Sequence, residues 1–326
     1  MTIDLLKRPR RNRKNAAIRS LTQETHLLAQ DLVAPFFIIQ GEKNREPIQA
    51  MPGCDFLSID QLIEEAEMLH IQGVPAIALF PRIDSPLKDD QGSEAWNENN
   101  LICKAIRLLK RHIPSLCVIA DIALDPYTTH GHDGILKENE VDNDLTLHAL
   151  AKQALSYARA GCDILAPSDM MDGRIRFIRQ ALDQEDLCHV LLLSYSVKYA
   201  SSLYTPFRKT LQTTLSFGDK KSYQMNPANR KEAIREALLD QEEGADMLLV
   251  KPAIPFLDII AQVKQSTHLP LGAFHVSGEY AMVMAAAQKG WLDPISVFYE
   301  SLISIKRAGA DFIFTYAVKQ ILDLLN

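Results

Sequence analysis

The amino-acid sequence predicts an α/β fold: a single (β/α)8 TIM barrel with an extended N-terminal arm. Three observations carry that expectation. A helix–Gly–strand cadence recurs along the chain. Eight short apolar runs can be counted between helical patterns. Polar residues gather just where those runs end.

The cadence reads AGCDILAPS at 160–168, EGADMLLVKP at 243–252 and AGADFIFTYA at 308–317, with QGVPAIALFP at 72–81 as a looser copy. Glycine suits the position after a helix because it takes the left-handed conformation without a Cβ penalty. The run that follows is apolar on both faces, as a parallel strand buried between core and helices requires. The eight runs are Asp31–Ile39, Val74–Phe80, Leu116–Leu124, Cys162–Pro167, His189–Tyr195, Ala245–Lys251, Leu271–Val276 and Asp311–Tyr316. Eight such units in one chain of 326 residues point to one barrel over residues 31–326. A doubly wound sheet would show fewer strands and a Gly-rich phosphate turn, which the sequence lacks.

Taken in order, residues 1–30 form a basic arm ahead of the first run, with seven Lys or Arg between Lys7 and Arg19. A solvated or subunit-clasping arm accounts for it better than an RNA-binding or targeting segment. A helix is expected from Ser58, with Gln61 completing a capping-box pattern, to Gly73. Another spans Asp144–Ala160, with Leu147, Leu150, Ala151, Ala154, Leu155 and Ala158 on one face, Asn143 as its cap and Gly161 as its stop. Residues 196–228 are too long for a βα connection and rich in Ser, Tyr, Lys and Arg. Long loops of this kind are often active-site lids.

Composition narrows the function. The net charge of -6 and pI near 5.9 argue against nucleic acid as the main partner. No apolar run approaches the roughly 18–20 residues of a membrane helix, and the first residues lack the apolar core of a secretory signal. Five scattered cysteines, Cys54, Cys103, Cys117, Cys162 and Cys188, form no C-x-x-C pair, so neither a disulfide framework nor a zinc knuckle is indicated. Three lie in apolar stretches as small core residues. A reducing cytoplasm is expected.

In a barrel, chemistry sits at the carboxyl ends of strands. Those ends carry Asp121 and Asp125, Ser168 and Asp169, Ser194 to Lys198, Lys251, Ser277 and Glu279, and Tyr316. Lys251 closes the apolar run MLLVK, where desolvation disfavours its charged form and lowers its pKa. A neutral amine can attack a ketone and form a Schiff base. Lys198 follows the neighbouring run, so two ammonium groups face one mouth and lower each other's pKa. The stretch DIALDPYTTHGHDG at 121–134 could bind a metal or could brace itself as a polar loop. Asp121 is its better catalytic candidate by position.

These residues together resemble the porphobilinogen synthase (5-aminolevulinate dehydratase) family. The matching segments are RPRRNR at 8–13, DPYTTHGHDG at 125–134, APSDMMDGR at 166–174, SYSVKYASS at 194–202, PFRK at 206–209, SYQMNPANR at 222–230, LLVKPAIPFLD at 248–258, VSGEYAM at 276–282 and ESLISIKRAGAD at 300–311. They span essentially the whole chain in the family's order. The resemblance implies that two 5-aminolevulinate molecules condense into porphobilinogen with loss of two waters, an early step of tetrapyrrole (heme) synthesis. It implies that Lys251 forms the Schiff base with the first substrate and that Lys198 binds, or forms a Schiff base with, the second. Ser277 and Tyr316 would hold the first carboxylate, Arg208 and Gln224 the second. Lys220 stands where the family usually has arginine, which leaves Lys220 or Lys221 as a further contact.

Zinc-dependent members carry three cysteines where this chain reads Ala123, Asp125 and Asp133. Three thiolates make a closed zinc site, whereas carboxylates favour a hard cation or none. The resemblance is therefore to the zinc-independent, magnesium-responsive branch, with Glu236 matching the glutamate that holds an allosteric Mg²⁺ through waters, and no catalytic zinc. It also implies a homo-octamer in which the arm embraces a neighbouring barrel. Two other readings fit parts of the sequence. A class I aldolase would use one strand-end lysine, and a nucleic-acid-binding scaffold would use the basic arm.

Overall fold

The structure, a computed structural model, describes residues 5–211, 213 and 215–325. Eight parallel strands form the barrel: β1 (Leu32–Ile38), β2 (Ala76–Pro81), β3 (Cys117–Ile122), β4 (Ile164–Pro167), β5 (Leu191–Lys198), β6 (Met247–Lys251), β7 (Leu271–His275) and β8 (Phe312–Thr315). Each pairs with the next, and β8 returns to β1 through Leu32↔Ile313 and Val33↔Phe314, which closes the sheet. Closure removes both sheet edges and rules out the doubly wound alternative.

All eight predicted runs are strands. The fifth differs at its end: β5 continues past Tyr195 to Lys198, so Lys198 lies within the strand rather than after it. The glycines of the cadence take positive φ, 99° at Gly161, 103° at Gly244 and 117° at Gly309. Two helix starts differ from expectation. The helix Asn143–Arg159 is capped by Asp142, whose side chain accepts from Leu145 N–H, and Asn143 is its first helical residue. A carboxylate is the stronger acceptor at a helix N-terminus. Ser58 precedes the helix Ile59–Ile71 without capping it, because its hydroxyl donates to Asp60 while Gln61 turns to Glu64.

The barrel interior is packed by aromatic rings. Phe37, Phe80, Phe274 and Phe314 are fully buried, with Phe274 and Phe314 centroids 5.1 Å apart. Cys103 and Cys162 are buried, and Cys117 packs against the core; none of the five cysteines is paired. The arm contributes a short 3₁₀ turn, Pro9–Arg13, and a helix, Ala16–Leu21, none of whose residues is buried. Leu6 and Leu21 are exposed there.

Helices and barrel are joined by a buried ion pair. Arg174, on the helix Arg174–Gln184, donates from both terminal nitrogens to Asp240, each at 3.0 Å, and to Ser194 of β5 at 3.1 Å. Both charged residues are almost wholly buried. Removing one partner of such a pair costs about 3–5 kcal/mol, because the other charge stays buried alone. Arg174→Met should lower stability by that amount in a urea titration, and Arg174→Met/Asp240→Leu should recover at least half of it. A single-variant loss below about 1 kcal/mol would contradict a buried pair.

Candidate active site

One cavity opens at the carboxyl end of the barrel. It is lined by Lys251, Lys198, Asp121, Asp125, Arg208, Lys220, Gln224, Ser277 and Tyr316, together with Ser168, Phe80, Tyr204, Phe207, Phe274 and Val276. Eight side chains expected to catalyse or to bind substrate from sequence therefore meet in one place.

The lysine pair depends on an irregularity. Leu248 of β6 pairs with Ser194 of β5, and in a regular ladder Lys251 would face Val197. A register shift between Leu248 and Val250 brings Lys251 opposite Lys198 instead. A one-residue slip moves a side chain to the other face of a strand, so the bulge puts both lysines on the inner face.

Lys251 is buried among rings. Its Nζ lies 4.3 Å from the Phe274 centroid, 5.0 Å from Tyr195, 5.4 Å from Tyr204 and 5.5 Å from Phe207. Burial, and then the charge of Lys198, lowers its pKa to about 7, against an opposing pull from Asp121. Asp121 answers in the other direction. Burial raises its carboxyl to about 7 despite attraction from Lys251 and Lys198, and its Oδ1 is buried without a hydrogen-bond partner. Lys198 is held differently: its Nζ donates to the Ser168 carbonyl and stands 3.6 Å from Asp133.

The loop after β3 carries a second charged cluster. Lys220 donates to Asp133 at 2.6 Å and to Asp125 at 3.2 Å. Burial works against the Lys220 ammonium, but the two carboxylates outweigh it and raise its pKa. Its neighbour Lys221 is exposed and pairs with Asp219 at 3.3 Å, so only Lys220 faces the cavity. Among the described residues no group of three or more His, Cys, Asp or Glu is arranged to hold a metal ion. The gap between Asp125 and Asp133 is filled by a lysine.

The chain after β5 lines this cavity through Tyr204, Phe207, Arg208, Lys220 and Gln224. A 3₁₀ turn, Ser202–Tyr204, and a helix, Thr205–Leu211, bring in Tyr204, Phe207 and Arg208. Beyond them His132 meets the Tyr223 hydroxyl and the Phe217 carbonyl, each at 3.2 Å. Ser277 accepts from Phe207 N–H and donates to the Leu203 carbonyl. Gly278 is required beside it, since a Cβ there would overlap the Leu203 backbone.

Several strand-end residues do not reach the mouth, Ser196 among them, which donates to the Ser194 carbonyl. Asp169 is buried and accepts from Met171 N–H, 3.9 Å from Arg174. Ser194 turns outward to Arg174 and Asp240. Glu279 faces backbone behind the cavity. Glu236 lies apart, half-buried in a groove with Asp172, Tyr223 and Arg235. Sequence reasoning missed the aromatic wall around Lys251, because aromatic residues in buried strands read as core.

A closed (β/α)8 barrel with two buried lysines in register at its carboxyl end, one poised near neutrality, is the arrangement of an enzyme that handles carbonyl compounds through amines. Residues 6–324 match the family model described as delta-aminolevulinic acid dehydratase, and the chain belongs to that family, a family of hydro-lyases. A delta-aminolevulinic acid dehydratase from Chlamydia pneumoniae is 53% identical over 325 residues, covering 100% of this chain and 98% of the relative. The chloroplastic delta-aminolevulinic acid dehydratase of Glycine max is 50% identical, covering 98% of this chain and 78% of the relative. A crystal structure of the Toxoplasma gondii ME49 enzyme, in complex with the reaction product porphobilinogen, superimposes with a TM-score of 0.96 at 46% identity, covering 98% of this chain and 92% of that one.

Below its pKa Lys251 is an unreactive ammonium, and above it a nucleophile. Its rate of imine formation with 5-aminolevulinate should therefore rise with pH and level off above about 7. A rate still climbing towards pH 10, as for an ordinary lysine, would contradict the burial described here.

Proposed function

We propose that this barrel condenses two molecules of 5-aminolevulinate into porphobilinogen with loss of two waters, using Lys251 and Lys198 as its amines. The observation that carries the reading is the in-register pair Lys251↔Lys198, since joining two identical ketones requires each to be held and polarised differently. Neutral Lys251 attacks the ketone carbon of the first substrate, and with one proton from a neighbouring acid the ketone oxygen leaves as water, giving an iminium. The surrounding rings present their negative faces to that cation. Asp121, whose carboxyl is raised towards neutrality, is suited to exchange protons beside it. Lys198, anchored by the Ser168 carbonyl, receives the second substrate.

Ser277 and Tyr316 hold the carboxylate of the first substrate in this reading, and Arg208, Gln224 and Lys220 hold that of the second. Arg208 offers a planar fork, while Lys220 offers a point charge on the same side. Of the predicted lid 196–228, residues 196–198 belong to β5, and residues 199–211 and 215–228 act as the lid.

The chemistry proceeds without catalytic zinc. What supports this is the donor set: Ala123 offers no ligand, and the ammonium of Lys220 already pairs with both Asp125 and Asp133. Glu236 would hold an allosteric Mg²⁺ through waters. Burial raises its pKa, so a cation in that groove would relieve an unfavourable charge. The exposed arm, with Leu6 and Leu21 unburied, would clasp a neighbouring subunit in a homo-octamer. Unpaired cysteines favour a cytoplasmic setting, and among the described residues no helix is long and apolar enough to cross a membrane.

Borohydride reduction in the presence of 5-aminolevulinate, followed by peptide mass spectrometry, should place substrate-derived mass on Lys251 or Lys198. Label elsewhere, or none with turnover intact, would end the lysine mechanism. Phenanthroline should leave activity unchanged; loss that zinc restores would overturn zinc independence.

A further inference from the structure

Glu279 lies two residues beyond Ser277 in the helix Ser277–Gln288, yet its carboxylate points away from the cavity. Oε2 accepts from Val276 N–H at 2.5 Å, the ordinary back-bond of a third helical residue. Oε1 accepts from Ile254 N–H at 2.6 Å. That second bond leaves the helix and crosses to the loop after β6, three residues beyond Lys251. The Ala253 N–H is directed at the same carboxylate, and every interaction opposing its burial comes from backbone amides. At 3% exposure, burial outweighs those amides and pushes the carboxyl up to about 7, while both of its oxygens stay bonded to backbone N–H groups.

A buried carboxylate that only capped a helix would cost more than a serine doing the same task. This one joins two strand ends. The Lys251 carbonyl is held on its other side by Tyr199 N–H at 3.0 Å and by the Tyr204 hydroxyl at 3.1 Å. Glu279 then fixes the amides at 253 and 254, so the backbone around Lys251 is anchored in both directions. The same carboxylate fixes Val276, next to Ser277.

We propose that Glu279 is a positioning residue for the first substrate, locking the β6 and β7 ends together so that the Lys251 amine and the Ser277 hydroxyl keep a fixed separation. The proposal rests on the assignment of Lys251 and Ser277 to one substrate. Glu279→Gln keeps the shape but sets an NH₂ group against the backbone N–H donors of one side, Val276 or Ile254 and Ala253, releasing one strand end. Glu279→Asp keeps both acceptor oxygens on a shorter stem.

The test compares borohydride labelling by 5-aminolevulinate at Lys251 and Lys198 in the full-length protein, with thermal melting in parallel. In Glu279→Gln the ratio of Lys251 to Lys198 label should fall at least about tenfold, and in Glu279→Asp only about threefold, because small misplacements at a reacting centre are costly. Label falling equally at both lysines, or at neither, would reduce Glu279 to a helix cap and overturn the proposal. If Glu279→Gln does not fold, the Glu279→Asp ratio decides by the same criterion. Wild-type protein without label at Lys251 would overturn the lysine assignment and the proposal with it, before any substitution is made.

Discussion

Buried charge is the constraint on which this structure depends. Three lysines, Lys251, Lys198 and Lys220, and three aspartates, Asp121, Asp125 and Asp133, meet at one end of the barrel. An isolated ion at such depth would neutralise or unfold its surroundings. Here the charges settle into two groups. Lys220 bonds both Asp125 and Asp133, which helps to hold Asp133 below the usual carboxylate range while burial still raises Asp125. Lys251 and Asp121, without such contacts, are both drawn towards neutrality. That division keeps Lys220 charged beside the cavity and leaves Lys251 free to react.

The rest of the fold serves the division. The extra residue in β5, between Ser194 and Val197, sets Lys251 against Lys198, and the rings of Phe274, Tyr195, Tyr204 and Phe207 surround the amine with a surface that tolerates a cation. Gly278 lets the covering segment approach closely enough for Ser277 to bind its backbone. The Arg174–Asp240 pair ties β5, which carries Lys198, to the helices outside.

Much of this was legible in the sequence. All eight runs were strands because a buried parallel strand is apolar on both faces, and glycines at 161, 244 and 309 marked the helix ends. Strand-end position alone picked out Lys251, Lys198, Asp121 and Tyr316, while Arg208, Gln224 and Lys220 came only through the family resemblance. Three things were not legible. The register shift between Leu248 and Val250 leaves no trace in composition. The aromatic wall looked like ordinary core. The direction of a side chain at a strand end is set by neighbours far along the chain, so Ser194, Asp169 and Glu279 read as mouth residues although they turn elsewhere. Lys220 raised a similar difficulty: its contacts with Asp125 and Asp133 join residues 95 and 87 positions apart, and no spacing rule reaches that far.

The central claim is that Lys198 helps to hold Lys251 near its neutral form. Titrating Nζ-labelled Lys251 by ¹⁵N NMR in the wild-type protein and in Lys198→Met tests it directly. Removing the neighbouring positive charge should raise the Lys251 midpoint above about 7 while leaving it below that of an ordinary lysine, since burial persists. An unchanged or lower midpoint would show that the two amines do not act on each other.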